Sequence, residues 1–213
     1  MANGAGGSIT SFFTIWTAPR ATIRRIVDSD PTRNVIALAA IGPAISMLVS
    51  EWAEALGNNA NLSVLWPISV AVYVALSAAF GVISLFIGGT IWRWSGSLLG
   101  GVASQAEVRA AIAWSSVPGI AAEIVLLIAV LLGVPVPHQR HVPLSQIDPA
   151  FYKVLVVEGV LGFWGFIISL KCLGEVHRFS AWRALAAGLI PPLTAFVAIG
   201  LIFFAFWALT GHH

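Results

Sequence analysis

Charge is scarce in this chain. Only 9% of its 213 residues are Asp, Glu, Lys or Arg, against about a quarter in an ordinary soluble domain, which excludes a single soluble core. Cysteine occurs once, as Cys172, so an internal disulfide and a multi-cysteine metal site are both excluded. Tyrosine is nearly missing, with two residues. The start also lacks a basic segment leading into an apolar core, since Met1 to Ser8 is small and polar. A cleavable signal is therefore not expected, and the first internal apolar segment should direct insertion. What is present is apolar: 58% hydrophobic residues, a mean hydropathy of +0.90, nine Trp and twelve Phe. That excess excludes disorder. It points to an all-α fold, a polytopic membrane helix bundle with interfaces for its aromatics to anchor.

Five apolar segments are marked off by charges and breakers. The first runs from about Asn34 to Val49 and can extend through Glu51 and Glu54; Asp30-Pro31 before it reads as an N-cap and a first-turn proline. The second, Val64 to Trp92, is uncharged and longer than the roughly 20 residues a span needs, so it should tilt or loosen at Gly88-Gly89. The third lies between Ala110 and Val134, the fourth is Phe151 to Leu170, and the fifth is Ala184 to Leu209. Pro191-Pro192 should either kink the fifth or begin it. The expected organisation is a cytoplasmic N-terminal amphipathic segment, residues 1–33, and one five-span membrane domain, residues 34–213.

Orientation follows from the basic residues. With the N-terminus inside, nine of the eleven Lys and Arg are cytoplasmic, and only Arg140 and Lys153 lie outside. An odd number of spans then places the C-terminus outside. Ser8 to Val27 is amphipathic rather than spanning. Thr17 can cap a helix with Pro19 among its early residues, placing Arg20 and Arg24 on one face and Ile23, Ile26 and Val27 on another. Trp16, Arg20, Arg24 and Arg25 are thus candidate contacts for an anionic leaflet or a partner. The alternative is a short helix packed on the bundle.

Ser104-Gln-Ala-Glu107 is a capping box, and Pro118 should break the helix it starts near Trp114 to Val117. Gly96 and Gly100 have the spacing that seats helix on helix, and Gly159, Gly162 and Gly165 form a small-residue stripe suited to a neighbouring span.

In order along the chain, several pieces resemble the Yip1-domain family of five-span membrane proteins. They are Trp16-Thr-Ala-Pro-Arg20 with its basic continuation, and Arg93-Trp-Ser-Gly-Ser-Leu-Leu-Gly-Gly101 leading to Pro118. Leu173-Gly-Glu-Val-His-Arg-Phe-Ser180 and Trp182-Arg-Ala complete the set. The resemblance implies membership of the compact bacterial type, hence the plasma (inner) membrane. Eukaryotic members are associated with vesicle trafficking and Rab-type GTPases through a long acidic N-terminal region. A short basic helix stands in its place here.

Catalysis finds little support. His138 and His141 sit among prolines, where a helix cannot hold both on one face, so a solvated loop is favoured. His177 reads as part of an interfacial polar cluster, and no function attaches to His212-His213. No catalytic residue, cofactor or metal is expected. The bilayer is the expected partner, with other membrane proteins or a second copy of the chain as further classes, and no nucleic acid. Two functions stay open: a non-enzymatic membrane-organising or adaptor protein, or a channel or transporter for a cation or small solute. The second would use Glu123 and Glu158, the ionisable residues deep within spans. A charge there is costly enough that both should face the bundle interior, at depths that let them share a proton or a cation.

Overall fold

A computed structural model describes residues 4–57, 66–136 and 147–210. The histidines at 138, 141, 212 and 213 lie outside the described residues. The chain folds into helices: α1 (Gly4–Thr17), α2 (Pro19–Ser29), α3 (Val35–Gly57), α4 (Trp66–Leu98), α5 (Gln105–Ser115), α6 (Val117–Leu131), α7 (Pro149–Val176) and α8 (Ala181–Thr210). Five stretches are long and apolar enough to cross a membrane: Val35–Leu56, Trp66–Leu98, Gln105–Leu131, Pro149–Val176 and Ala181–Trp207. The third is α5 and α6 taken together. This is an integral membrane helix bundle.

Local chemistry sets the helix ends. The Ser104 hydroxyl accepts from the Glu107 N–H at 3.3 Å, and the Glu107 carboxylate accepts from the Ser104 N–H at 2.6 Å, which closes the capping box of α5. Eleven residues on, α5 ends at Ser115. Pro118 has no N–H to donate back along the helix, so α6 begins afresh at Val117. Asp148 caps α7 by accepting from the Ala150 N–H at 2.7 Å.

Two helix ends differ from the sequence reading. Asp30 does not cap α3; its carboxylate accepts from the backbone N–H and hydroxyl of Thr32 and shapes a turn. Asn34 then takes a positive φ of 58° before α3 begins at Val35. At the N-terminus, Thr17 closes α1 instead of capping α2, and Ala18 stands at the junction before Pro19. Of the alternatives the sequence left open, α4 runs on through Gly88-Gly89, and α8 runs through Pro191-Pro192 instead of beginning there. At about 1.5 Å per residue the 33 residues of α4 reach about 50 Å, beyond the roughly 30 Å of a hydrocarbon core.

Spans α3, α4, α6 and α7 form the bundle, with α5 continuing α6 at one end. There α1 and α2 fold back across α5 and α7. The main core also lies at that end: Trp114 is fully buried among Ile15, Ile23, Val108, Ile168, Leu173 and Val176. Phe12 packs on Trp114 at 4.9 Å, and the Trp114 indole N–H donates to the Arg33 carbonyl at 3.2 Å. Helix α8 leans on α4 and α7 through its first turns only. Ala184 and Ala187 are buried, and Gly188 leaves room for the Trp92 ring. From Pro192 to Trp207 every residue is exposed.

Candidate functional site

Two groups of polar residues stand out, one at the end of the bundle carrying α1 and α2, and one inside it. At the first, Arg20 and Arg24 lie one turn apart on α2 and converge on Glu175 of α7. Arg20 Nη1 is 3.2 Å from Glu175 Oε2 and Arg24 Nε is 3.2 Å from Oε1. Arg24 also donates to the Glu175 carbonyl at 2.7 Å. The opposite face of α2 carries Ile23 and Ile26, both buried in the core. Burying each is worth about 2 kcal/mol relative to water, yet a lipid surface would bury them just as well. Direction must therefore come from the polar contacts. The Trp164 indole donates to the Trp16 carbonyl at 3.2 Å, the Cys172 thiol to the Pro19 carbonyl at 3.8 Å, and the Thr22 hydroxyl to Thr14 at 2.9 Å. These contacts favour the packed-helix reading for α2. Arg25 stays exposed, as do Ile9 and Phe13 on α1.

Just past α7, His177 is only 2% exposed. Its ring stacks on Phe179 with centroids 5.1 Å apart and planes 3° from parallel. The other face lies against Gly96 and Gly101, where an added Cβ would collide with the imidazole at either position. The glycine run read as a helix-packing motif is thus the seat of a histidine ring. Both ring nitrogens are buried without a partner among the described residues. Burial pushes the imidazole below its ordinary pKa, offset in part by the negative charge of Glu107. Sequence reading placed His177 in a polar cluster and missed the seat, because Gly96, Gly101 and His177 meet only in the fold.

Between α3, α4, α6 and α7 lies an open cleft of about 600 Å³, with the exposed Ser50 and Phe80 at its rim. Glu123 lines it together with Ser46, Ser50, Ser77, Ser115 and Ser116. The hydroxyls are already committed as donors. Ser77 donates to the Pro43 carbonyl at 2.7 Å, Ser116 to Ala113 at 2.7 Å, Ser115 to Ile112 at 2.9 Å and Ser50 to Ser46 at 3.1 Å. Ser46 hydrogen-bonds Glu123. What the hydroxyls can turn toward the space is lone pairs, so the carboxyl sits among a few acceptors in a lining that is otherwise largely apolar.

Glu158 of α7 is half-buried and within electrostatic range of Glu123, but it is not among the residues that line the cavity. Among the described residues no hydrogen bond joins the two carboxyls. Of the glycine stripe, Gly165 lies against Pro118, whose Cβ would stand 3.6 Å from a Cβ added at Gly165, Gly162 borders the cleft, and Gly159 faces open space. The stripe seats a neighbour at one end only.

Five membrane-crossing helices, a third span broken after a capped entry helix, and an N-terminal helix pair folded onto one end define the class: a five-span integral membrane bundle. The Yip1 domain matches residues 13–204, so the chain belongs to the Yip1 family. Neither the comparison with curated proteins nor that with solved structures returns a match.

Proposed function

We propose that this protein is a non-enzymatic membrane-organising or adaptor protein that works through the face bearing α1 and α2. The observation that carries this reading is the fixed docking of α2 by Arg20 and Arg24 on Glu175. A helix pair held in one geometry presents Ile9, Phe13 and Arg25 outward as a defined surface. In this reading that face is cytoplasmic, the C-terminus is outside, and the host membrane is the bacterial inner membrane. Residues 1–33 serve as the adaptor segment of a single five-span domain. Candidate partners are other membrane proteins or a second copy of the chain.

Photocrosslinking from Phe13 and Arg25 in living cells tests it. Discrete protein adducts that vanish when Glu175 is replaced by Gln support the reading; lipid adducts alone refute it. Orientation is tested separately. Cysteines introduced at Asn59 or Gln139 should react with an impermeant reagent in intact cells, and reaction only after permeabilisation reverses the assignment.

A second reading, passage of a cation or small solute, is favoured by one observation: the cluster of serine oxygens around Glu123 in the cleft between α3, α4, α6 and α7. Reconstituted protein would then conduct a monovalent cation, and Glu123→Gln would abolish the flux with the fold intact. Glu158→Gln should weaken it through the lost charge nearby. Equal flux through wild type, both variants and empty vesicles removes this reading.

A further inference from the structure

A second arginine site lies where α5 crosses α4, two turns along α4 from the His177 seat at Gly96. Arg109 of α5 crosses to α4, where its guanidinium carbon lies 4.2 Å from the centroid of the Phe86 ring. Its stem passes over Gly89, where a Cβ would stand 2.9 Å from Arg109 Cγ, so the crossing depends on that glycine. One turn earlier on α5, Gln105 donates from Nε2 to the Thr90 hydroxyl at 2.8 Å and fixes the same seam. Arg109 Nε is buried without a hydrogen-bond partner.

Among the described residues no carboxylate pairs with this charge. Glu107, the acid nearest to it in the chain, is engaged with the Ser104 N–H in the capping box. The ion pairs among the described residues belong to Arg20 and Arg24 with Glu175. A half-buried arginine at the edge of the hydrocarbon region needs an anion to offset its desolvation. Stacking on an aromatic face recovers only part of that cost.

The surroundings say what kind of anion. Arg93 is exposed on α4 seven residues beyond Phe86, two turns along the same line of the helix. In the other direction Ile83 is exposed beside Phe86, which itself faces outward, and both belong to a span. Helix α8 meets α4 at Trp92 through Gly188, on another side of α4. Charge at one end and an uncovered apolar track at the other describe the two halves of one amphiphile.

We propose that the seam between α4 and α5 binds an anionic phospholipid, its phosphate held by the Arg109 guanidinium with Arg93, and an acyl chain laid along Phe86 and Ile83. A planar guanidinium meets two phosphate oxygens at once, and the second amide N–H of Gln105 is free to donate to a third. Inorganic phosphate would meet the same nitrogens but leave the track empty, so the lipid is the better-matched occupant. The proposal is independent of either functional reading above.

The test is native mass spectrometry of the full-length protein released from mixed micelles of phosphatidylglycerol and phosphatidylcholine. Wild type should retain phosphatidylglycerol in preference. Arg109→Gln should reduce that preference roughly five- to tenfold, the effect of one lost base beside an anionic headgroup. Arg93 is exposed and its replacement should not disturb folding, so Arg93→Gln provides an independent arm with a smaller loss expected. Unchanged preference in both variants overturns the proposal. So does displacement of the lipid by inorganic phosphate at equal concentration, which would mean that the site takes the free anion.

Discussion

Replacing Gly96 by Ala tests the histidine seat, because two opposed effects meet at one atom. Within a helix, Ala is favoured over Gly by about 1 kcal/mol. Against this, the three atoms nearest to an added Cβ all belong to the His177 ring, and that ring is 2% exposed and backed by Phe179. Overpacking of this kind costs roughly 1–3 kcal/mol. The net expectation is a destabilisation of about 1 kcal/mol. Removing the ring with His177→Ala costs about 2 kcal/mol by itself, since it opens a hole. In that background, however, the obstacle to the new methyl is gone, and Gly96→Ala should stabilise by up to about 1 kcal/mol. The sign of the same substitution therefore reverses, a coupling of about 2 kcal/mol. Gly88 supplies the control, because nothing lies within 4 Å of its would-be Cβ and Gly88→Ala should stabilise in both backgrounds. Equilibrium unfolding of the six proteins by SDS titration in mixed micelles reads all of this. If Gly96→Ala has the same sign and size with and without His177, the ring is not seated on that glycine.

The remaining expectations concern the same end of the bundle. Burial holds the folded His177 imidazole below its ordinary pKa, so the unfolded chain protonates first as pH falls. Stability should thus be level above about pH 6.5 and decline below it, and the decline should flatten in His177→Gln; equal slopes in both would remove His177 as the cause. Glu175→Gln should loosen α2 by about 1–2 kcal/mol, a figure that treats its two ion pairs as partly exposed, with 26% of the glutamate and 42% and 29% of the arginines open. Cys172 reports this opening directly, since the single thiol is buried beneath Pro19. Its alkylation should quicken roughly tenfold in the variant, and an unchanged rate would show that apolar packing alone retains α2.

The spans were legible because each is a long uncharged run, and the capping box because all its parts lie within four residues. The break before Pro118 was equally local, a missing donor at a known place. Helix α2 was half legible. Its two faces could be read, but a water-facing isoleucine gains the same from protein as from lipid, and only Glu175, Cys172 and Trp164 decide between them. Asp30-Pro31 misled, since Asp30 bonds Thr32 and the chain needs the left-handed turn at Asn34 before α3 can start. Gly96 and Gly100 were read as a pair that seats a helix, but Gly100 meets no neighbour, and Gly96 with Gly101 receives a ring and not a helix. The depth of Glu123 could be counted from its span, whereas the serine lining could not. Those hydroxyls come from α3 and α4 and from the break between α5 and α6, and no spacing along the chain relates them.

Helix α8 is held like a mast stepped at its foot. Ala184, Ala187 and Gly188 fix its first turns, and from Pro192 to Trp207 it is exposed. A helix secured at one end meets a thinner or thicker bilayer by leaning, at fractions of a kcal/mol per ångström of mismatch. The four spans around the cavity share their load through contact on several sides and have no such freedom. The inclination of α8 can therefore follow the bilayer without disturbing the walls around Glu123, which α3, α4, α5, α6 and α7 form without it.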